Sequence, residues 1–288
     1  LKPTDRIAYA APQDRAPRPG PNGAKVLVYF VINIEEWGIE RPMPRQVLPA
    51  PTGVAVIPDI ANWAWHEYGM RVGFWRMFKA CEARGIKPTL SINAHVCNAY
   101  PRVAGAARDA GWEFMGHGFK QIPTHQILDQ REMVRDAVET IRAFTGKPPV
   151  GWLGPGLTQT LDTTDILAEH GIRYCADWVV DDVPVPVQTR HGLIWSMPYS
   201  VELNDIPMIM VQHHRAEELQ ARTLAQLDRL LVEAETEGCK VMGLAVHPYI
   251  SGVPHRIGVL EATLDAIASR PGAVFAQGGE ILDWWEAA

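Results

Sequence analysis

The sequence predicts one α/β domain whose parallel strands, each followed by a helix, curl into a closed or nearly closed barrel. Three observations carry that reading. Short apolar runs rich in β-branched residues alternate with segments of helical period along nearly the whole chain. No composition break and no fixed-period repeat divides its 288 residues. The strand–helix units number about seven, which suits a barrel in a single domain. Such alternation means a parallel sheet covered by helices. A doubly wound open sheet shares the pattern, but neither GxGxxG nor GxxxxGK(S/T) follows any strand, which weakens its nucleotide-binding versions.

Residues 1–25 carry Pro12, Pro17, Pro19 and Pro21 among polar groups, a composition that buries little and predicts a surface arm. Residues 26–288 form the barrel domain. Lys25 to Ile34 (KVLVYFVINI) is short, apolar and β-branched, a strand buried on both faces. It runs straight into Glu35-Glu36-Trp37-Gly38. Residues 38–66 are proline-spaced and read as a long irregular loop, of a length that is usually functional. Phe74, Phe78 and Cys81 fall at i, i+4 and i+7 of a helix from Met70 to Arg84, stopped by Gly85. Strands are then expected at Lys87 to Asn93, Trp112 to Met115, Val150 to Leu153 and Ile172 to Asp177. Helices from Tyr100 to Ala110, Gln130 to Phe144 and Leu161 to His170 separate them. A polar, proline-broken stretch leads to His191. Leu193 to Pro198 and Pro207 to Val211 read as strands, and Ala216 to Glu237 as a helix burying Leu224, Leu227 and Leu231. Val241 to Val246 is a strand, Ile257 to Ser269 a helix, Val274 to Ala276 a strand and Glu280 to Glu286 a closing helix.

Composition is that of an ordinary globular protein, 47% hydrophobic and 21% charged, with a net charge of −6. No basic surface points to nucleic acid or an anionic membrane, so the expected partner is a small molecule. No long apolar run predicts a membrane span, and no signal peptide is expected. Cys81, Cys97, Cys175 and Cys239 form no CxxC pair and read as reduced and buried, in keeping with a cytoplasmic protein.

Function in a parallel barrel sits at the carboxyl ends of the strands. Those ends hold Asn33, Glu35 and Glu36, then His117 between two glycines, Trp152 and Gly154, Asp177, and His247. Two adjacent carboxylates, two histidines and an aspartate thus converge on one mouth, while the strand middles are apolar. Singly, each has an ordinary explanation: a solvated acid entering a loop, a turn histidine, a histidine drawn extended by Pro248. Strand alternation leaves open which of Glu35 and Glu36 faces inward. His95, His170, His191, His255 and the His213-His214 pair read as structural or exposed.

The segments Asn33-Ile34-Glu35-Glu36, His117-Gly118-Phe119-Lys120-Gln121, Gly151-Trp152-Leu153-Gly154-Pro155-Gly156 and Leu244-Ala245-Val246-His247-Pro248 resemble, in order and spacing, the polysaccharide deacetylase superfamily. That resemblance implies a distorted (β/α)7-type barrel. Glu67-Tyr68-Gly69, Asp181-Asp182-Val183-Pro184, the stretch from Pro198 to Asp205 and that from Gly252 to Arg256 resemble the allantoinase-like branch, over residues 24–286. The branch implies hydrolysis of a C–N bond in a small molecule, and a homo-oligomer, a tetramer, whose arm at residues 1–25 could embrace a neighbour.

Two departures refine the expectation. Typical members bind a metal through an acid and both histidines of an HxxxH pair, and here Gln121 stands at the second histidine. Glutamine is a poor zinc ligand, so no cofactor is expected. If a divalent metal such as zinc is bound, Glu36, His117 and Gln121 hold it, with His125 as a spare ligand. Allantoinases carry an arginine just after Trp-x-x-Gly where this chain has Pro155, which implies a less charged pocket and a neutral cyclic imide, ureide or other small amide. In that reading Glu36 or Glu35 activates water, and His247 protonates the leaving nitrogen. His117 donates to the oxyanion, or holds water with Gln121. Trp37 and Trp152 wall the pocket, Asp177 lies at its strand-end rim, and Asn204 and Asp205 read the substrate's N–H and C=O groups. A metal-dependent deacetylase of N-acetylated sugars, and a barrel that binds without turnover, are the alternatives.

Overall fold

The computed structural model describes residues 1–287. One curled sheet is built from β1 (Val26–Ile34), β2 (Thr89–Ile92), β3 (Glu113–Gly116), β4 (Gly151–Trp152), β5 (Tyr174–Cys175), β6 (Val185–Thr189), β7 (Gly192–Ser196), β8 (Lys240–Val246) and β9 (Ala273–Phe275). The order is β6-β7-β5-β4-β3-β2-β1-β8, with β9 beside the start of β1. From β7 to β8 every pairing is parallel, while β6 folds back antiparallel on β7. Asn204 bridges to Ala245, whose N–H donates to Leu203 O, so the chain beyond β7 returns to β8 and narrows the gap between the sheet's ends. The result is a curled, barrel-like α/β sheet.

β1 sets the layering, because all nine of its residues are buried. Val26, Val28, Phe30, Ile32 and Ile34 face outward into the layer shared with Phe74, Met77 and Leu264 of the surrounding helices. Leu27, Tyr29 and Val31 face inward and meet Met115, Tyr174, Met197 and Tyr199 inside the barrel. Successive strand side chains point to opposite faces, and burying each large apolar one contributes about 1.5–3 kcal/mol. Trp152 belongs to the outer layer, fully buried, with its ring against Gly116: a Cβ there would lie 2.6 Å from the indole.

Three segments depart from the sequence reading. A helix, Ile60–Tyr68, stands within the stretch read as irregular loop, started by Asp59, whose carboxylate accepts from Asn62 N at 3.2 Å. It passes through a wide helical turn, Gly69–Gly73, into the helix Phe74–Glu82. Gly69 and Gly73 lie against the backbone of Tyr249 and Pro248, where added Cβ atoms would come within 2.7 and 2.1 Å. Pro207 to Val211 is helical rather than extended, part of a single wide turn, Ile206–Val211, with Pro207 near its start. β6 (VPVQT) falls in the stretch read as irregular; Pro186 cannot donate to a ladder, which suits the sheet edge that β6 forms.

Residues 1–25 lie along the barrel of their own chain. Buried Arg6 grips Asp165 through two hydrogen bonds of 2.9 and 2.7 Å and also donates to Leu161 O and Gln188 O. Its hydrogen bonds outweigh burial and hold the Asp165 carboxyl down at about 2. Breaking a buried pair of this kind costs roughly 3–5 kcal/mol. Arg15 pairs with Asp181, and Arg18 lies over the Trp285 ring. All four cysteines are free and buried. Among the described residues no helix is long and apolar enough to cross a membrane.

Candidate active site

Strand alternation, phased by β1, separates the two adjacent acids. Leu27, Tyr29 and Val31 face inward, and Glu35 continues that series into the barrel mouth, where it is 8% exposed. Glu36 falls on the other face and reaches His95 Nδ1 at 2.6 Å and Lys120 Nζ at 3.7 Å. Glu36 therefore does not share a site with His117, and the proposed metal set of Glu36, His117 and Gln121 is not assembled.

Glu35 is the centre of the cluster. Its Oε1 accepts from Gln121 Nε2 at 2.9 Å and lies 3.5 Å from His247 Nε2 and 3.6 Å from His117 Nε2. Its Oε2 accepts from the Tyr249 hydroxyl at 3.3 Å. Burial alone would raise the carboxyl, but the charge of His247, with the His247 and His117 rings close by, outweighs it and holds Glu35 well below the usual carboxylate range. His247 Nδ1 donates to Asp205 Oδ1 at 2.6 Å. Asp205 is wholly buried and is fixed by the His247 backbone N–H at 2.8 Å and the Ser251 hydroxyl at 2.7 Å. Burial would lower His247, but Asp205 and Glu35 more than reverse this and bring it up to about 9. The mouth thus holds a buried carboxylate–imidazolium–carboxylate chain with its Nε2–H turned to Glu35.

The hydrogen-bond network fixes the other orientations. The backbone N–H of Glu36 donates to Asn93 Oδ1 at 2.8 Å, so Asn93 Nδ2 is the donor to His117 O and to Gln121 Oε1 at 2.9 Å. Gln121 must then present its N–H₂ to Glu35. His117 Nδ1 lies 2.7 Å from Leu153 O, an acceptor, so Nδ1 carries the hydrogen and the buried Nε2, which has no hydrogen-bond partner, faces Glu35.

The remaining expected residues fall elsewhere. Trp152 packs in the outer core layer and does not wall the mouth. Asn204 donates to Tyr199 OH at 3.4 Å and accepts from Ile206 N at 3.0 Å, while Asp205 holds His247, so both are engaged by partners within the chain. Asp177 accepts from Gly154 N at 2.7 Å and Gln159 Nε2 at 2.6 Å, tying the ends of β4 and β5. Burial pushes its carboxyl up to about 6 against those hydrogen bonds. His125 is exposed on a short turn. Trp37 lines a cavity of about 620 Å³ together with Arg41, Arg45, Lys120, Gln121 and Pro155. Arg41, Arg45 and Lys120 stand there beside Glu40, so the absence of arginine at position 155 does not leave a less charged pocket.

Two residues escaped the sequence reading. Tyr249, two positions after His247, completes the Glu35 shell. His66, 3% exposed, sits on the unexpected helix with its ring 4.4 Å from that of Tyr249 and 5.0 Å from that of Trp37. The available signal was Asp59-x-x-Asn62, a helix start hidden among prolines.

No protein-family model matches the chain. A candidate polysaccharide deacetylase of Schizosaccharomyces pombe is 22% identical over 308 residues, 93% of this chain and 92% of that protein. The peptidoglycan deacetylase of Helicobacter pylori is 28% identical over 137 residues, 46% of each chain. A solved structure described as a probable polysaccharide deacetylase from Pseudomonas aeruginosa PAO1 superposes with a TM-score of 0.81 at 27% identity, covering 92% of each chain. The structure of Puue allantoinase superposes with a TM-score of 0.87 at 25% identity, covering 100% of this chain and 98% of that one. In fold and sequence the chain is thus similar to polysaccharide deacetylases and to an allantoinase, hydrolases acting on C–N bonds other than peptide bonds.

Proposed function

We propose that this hydrolase opens a small, cyclic amide, imide or ureide by acid–base catalysis between Glu35 and His247. The observation that carries the reading is the buried Glu35–His247–Asp205 chain, which supplies an ionised base and a charged acid within 3.5 Å of each other. Water attacks the carbonyl carbon while Glu35 takes one of its protons. The tetrahedral oxyanion collapses, the C–N bond breaks, and His247 Nε2 gives its proton to the departing nitrogen. Glu35 then returns its proton to His247, and water plus amide has become acid plus amine. The pair is electrostatically coupled: as His247 loses its charge, the main force holding Glu35 ionised disappears and its basicity rises. His117 Nε2 orients the water, and the Tyr249 hydroxyl, kept protonated by burial and by Glu35, is a donor at the same place.

The donor set does not suit a divalent cation. Gln121 turns an N–H donor, not an oxygen, to Glu35, and His247 carries its own proton there. The free cysteines support a reducing compartment such as the cytoplasm, and the family resemblance supports a homotetramer. The test is turnover of hydantoin, succinimide and an N-acetylglucosamine oligomer before and after exhaustive chelation. Chelator-resistant ring opening is expected. Acetate release that vanishes on chelation and returns with zinc would replace this reading with a metal-dependent deacetylase, and ligand binding without any turnover would replace it with a binding protein.

A further inference from the structure

Beside the acid–base cluster, two buried polar atoms of opposite kind have no partner: Trp37 Nε1 and His66 Nε2. The indole nitrogen can only donate. His66 Nδ1 lies 2.7 Å from Asn62 O, an acceptor, so Nδ1 carries the hydrogen, and burial holds the ring down at about 4, so that Nε2 is a bare acceptor at neutral pH. The two rings are 5.0 Å apart, and His66 stacks at 4.4 Å on Tyr249, whose hydroxyl reaches Glu35. Trp37 also lines the 620 Å³ cavity. Buried donors and acceptors left unpaired are unfavourable, and a ligand that pairs both is selected strongly.

A donor beside an acceptor matches an N–H beside a C=O on one edge. An open-chain secondary amide is trans and turns those groups to opposite sides. A five- or six-membered ring holds the amide cis and presents both together. We infer that Trp37 and His66 form a subsite that reads the N–H and the unattacked C=O beside it on a cis amide edge, which makes the substrate a small ring with a free N–H and a second carbonyl. The inference rests on the ring-opening reading above and adds to it the residues that select the ring.

The experiment compares kcat/KM for succinimide, N-methylsuccinimide and 2-pyrrolidinone in the wild type, His66→Ala and Trp37→Phe. The wild type is expected to prefer the free N–H by roughly 100-fold. His66→Ala, which removes the acceptor and makes room for the methyl group, is expected to bring that ratio to within about 3-fold of unity, whereas loss of mere support would depress both substrates alike. Trp37→Phe is expected to keep the N–H preference and to narrow the succinimide-to-pyrrolidinone ratio, since pyrrolidinone lacks the second carbonyl. If His66→Ala does not fold, the Trp37→Phe ratio decides. Active variants with wild-type ratios overturn the subsite and leave the ring-opening reading standing. A wild type that opens no ring overturns both.

Discussion

Two carboxylates mark the two ends of the barrel, and their surroundings treat them in opposite ways. At the carboxyl end, Glu35 meets a charged histidine, and its carboxyl lies well below the usual range. At the amino end, Glu113 of β3 accepts from Thr89 Oγ1 at 2.7 Å, the Tyr174 hydroxyl at 3.0 Å and Gly279 N at 3.0 Å. Burial raises it, and these hydrogen bonds from neutral donors only partly offset the rise. Burial acts on both, so the cation decides the sign. Glu113 anchors the helix Gly278–Ala287 to the sheet, whereas Glu35 is held ionised beside a proton donor. The lesson is that an acid in a barrel is identified by its partner, not by its depth.

The comparison breaks most directly at Glu35. Glu35→Gln is expected to cut kcat by about 10²–10⁴-fold with the fold intact, the range for loss of a general base. Glu36→Gln, whose carboxylate meets His95 and Lys120 and not Glu35's partners, is expected to stay within about 5-fold of wild type. Equal losses in both variants, measured by steady-state kinetics, would remove the distinction between the two acids. Next comes the cation itself. Asp205→Asn takes away the carboxylate that holds His247 near 9, so the alkaline limb of the kcat/KM profile should move down by about one unit or more, with a loss of about 10²-fold in kcat. An unmoved limb would mean that His247 is not the acid.

Stability against pH sharpens the contrast further. His247 is raised in the fold, so its contribution is complete below its ordinary 6.5 and is lost as pH climbs through about 9. Glu35 is depressed, so its contribution is present above its ordinary 4.5 and is lost as pH falls toward its lowered folded value. Glu113 is raised and has the opposite sign: the fold gains from it as pH falls through its raised value toward 4.5. Urea titrations across pH should therefore show a loss at each end from the mouth, with a gain from Glu113 just before the acid-side loss sets in. The smallest effect is expected of Glu113→Gln, which should leave kcat within about 3-fold and remove that gain. A large kinetic loss in this variant would show that the two ends of the barrel are coupled.

The sequence went further at the strand ends than at the walls. His117, His247 and the Glu35-Glu36 pair were placed at the mouth because each follows a buried strand. The choice between the two acids was not made, since a strand buried on both faces is apolar throughout and shows no phase. Tyr29 and Asn33 were the faint markers of the inward series, both polar-tipped and both in step with Glu35. Trp152 misled because it sits at a strand end and yet faces the helices. Asn204 and Asp205 lay in a matching segment, but only the fold showed that Asn204 binds the chain itself and Asp205 binds His247.

By itself, then, the sequence determined the barrel and most of the residues at its mouth. Periodicity and turn chemistry are local, and function at strand ends follows from the architecture. Tertiary structure alone decided that Glu35 carries the charge chain, that Arg6 pins the arm to its own barrel, and that His66 stands over Tyr249. Each of those depends on partners far apart in the chain, such as Glu35 with His247 or Arg6 with Asp165. A hydrogen bond or ion pair between distant residues leaves no period in the sequence that could announce it.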